Sequence, residues 1–156
     1  MRIVHFETGG VAGIAADAGS GWHGLTQRDA RFPGSLPELI AQGADLMRVG
    51  ADLAQSPAID LDAVRLLPPV TAPPKILCVG LNYDDHLEES GLKKPTYPEI
   101  FGRFATSLIA HQEPIRRPRE SIALDYEAEL AVVIGKPGHR IPQEQALDHE
   151  IGRAHV

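Results

Sequence analysis

The chain has 156 residues, 43% of them hydrophobic, with 15 Lys and Arg against 21 Asp and Glu for a formal net charge of −6. That length buries one sizeable core, or one small domain and part of another. The acidic balance argues against nucleic acid or an anionic membrane as partner, and no apolar run approaches the ~18 residues of a membrane-spanning helix. The first seven residues are too few and too polar for a signal peptide. A single cysteine, Cys78, excludes an internal disulfide framework and fits a reducing cytoplasm.

Residues 2–7 alternate as a short strand, and 11–16 pair with it across the hairpin turn Thr8-Gly9-Gly10. Residues 22–25 form a third strand. One helix follows: Ser35 is its N-cap, Pro37 suits its first turn and Glu38 stands three residues after the cap. Its stripe of Leu36, Leu39, Ile40, Gly43, Leu46, Met47, Gly50 and Leu53 has helical spacing, and it ends before Pro57. Residues 60–67 are a strand leading into Pro68-Pro69-Val70-Thr71-Ala72-Pro73-Pro74. Four prolines in seven residues forbid a helix or a central strand there. The stretch marks a boundary between a small N-terminal domain, 1–70, and a second region, 71–149.

Residues 75–79 are a compact apolar strand in which Cys78 reads as a buried, inert thiol. Gly80-Leu81-Asn82-Tyr83 turns out of it, and residues 84–90 make a short helix stopped by Gly91. On that helix His86 and Glu89 are i and i+3 and share a face. A carboxylate beside a histidine fixes its tautomer and makes it a better base; a surface histidine among Asp84, Asp85 and Glu88 is the plainer alternative. Residues 98–104 are another strand. There Arg103 either offers a cation to a carboxylate ligand or is an edge arginine reaching for water. Residues 107–111 and 113–117 are short strands. The basic run Arg116, Arg117 and Arg119, broken by Pro118, is a solvated loop. A turn at Lys136-Pro137-Gly138 and a helix over 143–149 complete the pattern. No internal repeat, phosphate-binding loop, dinucleotide fingerprint or zinc spacing occurs.

The most informative stretch is Asp125-Tyr126-Glu127-Ala128-Glu129-Leu130-Ala131-Val132-Val133-Ile134-Gly135. As a strand it puts Asp125, Glu127 and Glu129 on one face, roughly 7 Å apart along the chain. Like charges so placed need either a hard cation bound through oxygen or water at an exposed edge.

Three blocks in order resemble one family, the fumarylacetoacetate hydrolases. They are Gly80-Leu81-Asn82-Tyr83-Asp84-Asp85-His86-Leu87-Glu88-Glu89 behind its strand, Phe101-Gly102-Arg103-Phe104, and the acidic stretch at 125–135. The resemblance covers about residues 71–149 and implies an α+β protein. It would carry an incomplete mixed β-roll of the catalytic-domain type, preceded by a small α+β N-terminal domain. It implies Mg²⁺ or Mn²⁺ held by Glu127 and Glu129 together with a third carboxylate beyond the end of the chain. His86 and Glu89 match the dyad that activates water, and Arg103 and Tyr83 match substrate-binding positions. A homodimer is implied at full length.

The chemistry implied is metal-dependent hydrolysis of an acylpyruvate or other diketo acid. Water activated by His86 attacks the distal carbonyl, the C–C bond breaks, and a metal-stabilised enolate leaves. Two alternatives stand beside it. One is isomerisation, hydration or decarboxylation of 2-oxo or 2-hydroxy-dienoic acids in aromatic catabolism; the other is a non-catalytic fragment or ligand-binding relative. The last seven residues, 150–156, leave the family pattern after the shared Gly152 and coincide with the translation of a common sequencing adapter. The expectation is therefore an N-terminal fragment with a non-native tail, of little activity by itself and prone to associate.

Overall fold

The computed structural model describes residues 1–155. The chain is α+β and divides into two compact units: Met1–Pro69 with Ile109–Val156, and Val70–Leu108. The first boundary falls within the proline-rich stretch. Among the described residues, no helix is long and apolar enough to cross a membrane.

The first unit is built on a four-stranded antiparallel sheet of β1 (Arg2–Thr8), β2 (Val11–Asp17), β3 (Trp22–Thr26) and β4 (Arg65–Leu67), in the order β3-β2-β1-β4. The β1–β2 turn forms where the sequence places it, because Gly9 and Gly10 both take positive φ, 56° and 74°, without a Cβ to clash. One face of the sheet carries Ile14, Ala16 and Leu25, which pack against Leu36, Leu39 and Leu53 of the helices; Ile3, Phe32 and Val49 close the rim. The other face holds Phe6 and Ala15, both fully buried. Strand β3 approaches β2 closely: a Cβ on Gly24 would meet the Ile14 carbonyl oxygen at 2.4 Å.

The single helix expected before Pro57 is two. Helix α1 spans Leu36–Ala41 and α2 spans Leu46–Leu53. Gly43 breaks the run by taking φ 65°, and the Asp45 side chain caps a fresh start by accepting from the Met47 and Arg48 amides at 3.0 and 3.2 Å. At α1 the Glu38 carboxylate accepts from the Ser35 amide at 2.7 Å and its hydroxyl at 2.8 Å. The strand expected over 60–67 begins instead as a 3-10 turn, Leu61–Ala63. Asp60 caps it by accepting from the Asp62 amide, and only β4 is left to pair with β1.

Asp17 closes the β2–β3 connection. Its carboxylate accepts from the Gly19 amide at 2.7 Å and the Gly21 amide at 3.2 Å, and pairs with Arg2, whose guanidinium lies 5.1 Å from the Trp22 ring centroid. The Gly19 amide, and after it the Arg2 guanidinium, hold the Asp17 carboxyl below its ordinary value of 3.8. A group depressed in this way contributes stability that is complete above the ordinary value and is lost as pH falls through the lowered one. Asp17→Asn is expected to lower the urea midpoint at neutral pH and to flatten its further decline below pH 3.8. An acid limb as steep as in the unaltered chain would refute that.

The rest of the first unit returns after Leu108. Glu113 accepts from Arg65 Nε at 2.9 Å and from the Ala110 amide at 3.0 Å, which fastens this segment to β4. The strands expected over 107–111 and 113–117 do not form. A 3-10 turn, Ala105–Ser107, sits at the first, and Gln112 takes φ 63° between them; Pro114 and Pro118 cannot donate to a ladder. Strand β7 (Leu130–Ile134) pairs antiparallel with β8 (Glu150–His155), with a register shift between Val133 and Ile134. Residues Glu150–His155 lie within the segment expected to be a foreign tail. The connection between them contains Gln143–His149, a 3-10 helix rather than an α-helix. Buried His149 donates from Nδ1 to the Lys136 carbonyl at 2.8 Å and fixes that loop.

Candidate active site

In the second unit β5 (Ile76–Gly80) and β6 (Glu99–Arg103) form a two-stranded antiparallel sheet, and α3 (Asp84–Ser90) follows β5. The chain leaves β5 through Leu81 at φ 53°, a left-handed conformation that costs a leucine about 1 kcal/mol. Tyr83 then occupies the N-cap position of α3 with extended backbone and no side-chain cap. Asp84 and Asp85 in the first turn place negative charge against the unpaired amides instead. Gly91, at φ 64°, ends the helix.

Leu87 is the half-buried residue of α3, while His86 and Glu89 are exposed, three apart on one helical face. Tyr83 stands just before them and is 42% exposed. The sheet register sends Arg103 elsewhere. Gly80, which leads toward α3, pairs with Glu99, whereas Arg103 pairs with Ile76 at the other end of the ladder. Four residues of strand separate these positions by about 13 Å. The unit therefore clusters Tyr83, His86 and Glu89 and leaves the exposed Arg103 at the far end of the sheet. Cys78 is half-buried opposite Phe101.

The acidic stretch, in the first unit, departs from the sequence expectation. The ladder covers Leu130–Ile134, and residues 125–129 are not in a strand. The apolar half finds its backbone partners in β8, with Leu130 opposite His155 and Ile134 opposite Glu150. Glu127 is exposed and Glu129 half-buried. Asp125 turns back on its own chain, accepting from the Tyr126 amide at 2.8 Å. Two carboxylates at i and i+2 are the right donors for a hard cation. Among the described residues, however, no three His, Cys, Asp or Glu side chains come together to hold one. The donor chemistry fits Mg²⁺ or Mn²⁺; the donor number does not.

The left-handed Leu81 is a feature the sequence could not announce, since leucine seldom takes that conformation. A concavity of about 430 Å³ in the first unit is lined by Ile40, Gly43, Leu46, Lys136 and Ile151, and none of the six candidate residues borders it.

Residues 75–154 match the sequence pattern of the fumarylacetoacetate (FAA) hydrolase C-terminal family. Oxaloacetate tautomerase fahd2 of Xenopus laevis, described as mitochondrial, is 35% identical over 97% of this chain and 50% of its own length. The human oxaloacetate tautomerase FAHD2A, also described as mitochondrial, is 36% identical over the same shares. Among solved structures, the fumarylacetoacetate hydrolase of the psychrophile Exiguobacterium antarcticum superposes with a TM-score of 0.73 at 33% identity, covering 99% of this chain and 54% of that one. The chain thus spans about half the length of the curated relatives it matches. Motif order, fold and these matches agree, and the chain belongs to the fumarylacetoacetate hydrolase family, whose members include hydrolases and tautomerases.

Proposed function

We propose that the protein acts on an enolisable 2-oxo acid and that its reaction is keto–enol tautomerisation of an oxo-dicarboxylate of the oxaloacetate kind. The observation that carries this reading is the 35–36% identity, over 97% of the chain, to relatives named oxaloacetate tautomerases. In that reaction a C3–H bond breaks, its electron pair forms the C2=C3 double bond, and the C2 oxygen gains a proton. Atoms and charge balance without a co-reactant. The chain offers groups for each need. The His86 imidazole can take and return the proton, with Glu89 one turn along the helix to orient it. The Tyr83 phenol can donate to the developing enolate oxygen. Arg103 stands about 13 Å along the ladder from the residue that leads into α3, and its assignment to a substrate carboxylate rests on the chemistry of its guanidinium fork rather than on proximity to His86. Glu127 and Glu129 are the residues we assign to Mg²⁺ or Mn²⁺. Those two carboxylates would be part of the ion's ligand set, and each proton transfer described here is assigned to a side chain of this chain.

Hydrolysis of an acylpyruvate is the second reading, favoured by the pairing of His86 with Glu89 on one exposed helix face. There hydroxide from water adds to the distal carbonyl, the C–C bond breaks, and the enolate carbon is protonated. A homodimer in a reducing compartment accompanies either reading; the lone thiol fits the cytoplasm and the mitochondrial matrix equally.

One preparation decides between them. The 156-residue chain, and the longest product of its gene, are given enol-oxaloacetate and an acylpyruvate in separate assays with Mg²⁺. The ultraviolet absorbance of the enol is followed in the first assay and acid release in the second. Faster enol decay than in buffer, without acylpyruvate cleavage, is expected. Cleavage alone would replace the first reading with the second, and inertness of both proteins toward both substrates would sink both.

A further inference from the structure

We propose that the hydrogen bond between His5 and Leu36 is an acid-released latch that holds the helical layer of the first unit onto its sheet. His5 lies in the middle of β1, is 5% exposed, and faces the helices. Its Nε2 stands 2.7 Å from the backbone nitrogen of Leu36, the first residue of α1. The amide can only donate, so Nε2 must accept, and the proton of the neutral ring sits on Nδ1. This bond satisfies an amide at the helix start that has no partner within the helix, and the next residue, Pro37, has no amide to offer. Protonating Nε2 removes the acceptor and sets one N–H against another in a buried place.

The surroundings are apolar on most sides. The residues directly across the ladder are Ile14 of β2 and Leu67 of β4. From β3 the core contributes Leu25, from α1 Leu36 and Leu39, and from α2 Leu46, Val49 and Leu53. Two charged groups are near. Glu38 of α1 favours the imidazolium, but its carboxylate is occupied by the Ser35 amide and hydroxyl. Glu7, two residues along β1 on the same face, is 3.7 Å from Arg65 of β4. Burial outweighs Glu38 and lowers the His5 pKa from its ordinary 6.5. A histidine buried neutral must gain its proton on unfolding. The stability it contributes is therefore complete above pH 6.5 and is lost as pH falls from there toward the lowered folded value.

The test is urea unfolding of the 156-residue chain across mildly acidic pH, followed by Trp22 fluorescence, for the unaltered protein and His5→Gln. Glutamine can present its carbonyl oxygen to the Leu36 amide and does not titrate. The other six of the seven histidines are present in both proteins, so the difference isolates His5. The unaltered midpoint is expected to fall below pH 6.5, and the variant's to fall less. Equal slopes overturn the proposal. Should His5→Gln fail to fold, amide exchange of Leu36 in the unaltered chain decides. Linkage to one proton predicts that its protection falls about tenfold per pH unit within the window. Protection that stays constant overturns the latch.

Discussion

Phe6→Ala is expected to cost ~3–5 kcal/mol of the first unit's stability, enough to unfold a domain of ordinary stability in an appreciable fraction of molecules. Phe6 is fully buried in β1 and pairs with Gly13 of β2 and Leu66 of β4. The ring fills the space above Gly13: a Cβ there would lie 2.4 Å from Phe6 Cζ and 2.8 Å from the Leu25 carbonyl oxygen. The sheet has no larger side chain at Gly13 to relax into the void, so the cavity stays open and the full penalty applies. Ile122, 94% exposed, is the control, and its alanine variant should stay within about 0.5 kcal/mol of the unaltered chain. Urea midpoints read both. A Phe6→Ala protein within about 1 kcal/mol of the unaltered one would mean that β2 and β4 collapse onto the gap.

In the tautomerase assay, His86→Asn is expected to lower kcat by ~10²- to 10⁴-fold while leaving thermal unfolding unchanged. The imidazole is exposed on α3, so its loss opens no cavity, and asparagine keeps polarity without a titrating nitrogen. Arg103→Ala should behave differently. A guanidinium that holds a carboxylate equally in ground and transition states affects KM and leaves kcat alone. Loss of one charge-assisted bond, about 1.5–3 kcal/mol, corresponds to a rise of roughly 10- to 150-fold. An unchanged kcat in His86→Asn would remove His86 from the proton transfer. A drop in kcat for Arg103→Ala with KM unmoved would place its charge in the transition state instead.

The strands of the N-terminal sheet were legible because their turns carry their own chemistry; the two glycines of the β1–β2 hairpin take the positive φ that the turn demands. The break between α1 and α2 was not. The apolar stripe runs through Gly43 in register, and periodicity cannot tell a glycine that packs from a glycine that ends a helix. Asp45 was the overlooked signal, a capping residue in the middle of the stripe. Of the site, α3 with His86 and Glu89 was readable from its spacing and its terminal Gly91. The place of Arg103 at the far end of the ladder depends on β5–β6 register, a pairing between distant residues that no local pattern records. The same limit applies at 125–129. Alternation reports which side chains would share a face, but whether a neighbouring strand exists is decided elsewhere in the chain.

The second unit is an excursion: the first unit's chain departs at Pro69 and resumes at Ile109, and Glu113 fastens the returning strand of chain to Arg65. Closing the first unit's chain across the excursion carries an entropic cost set by the excursion's length. That entropy grows with the logarithm of length, about 0.6 kcal/mol for each doubling. Material between those two points can therefore be lengthened or shortened at small cost in closure entropy. Tyr83, His86, Glu89 and Arg103 all lie in that segment. A lineage could thus resize the part that carries this chemistry at little entropic cost to the chain it interrupts.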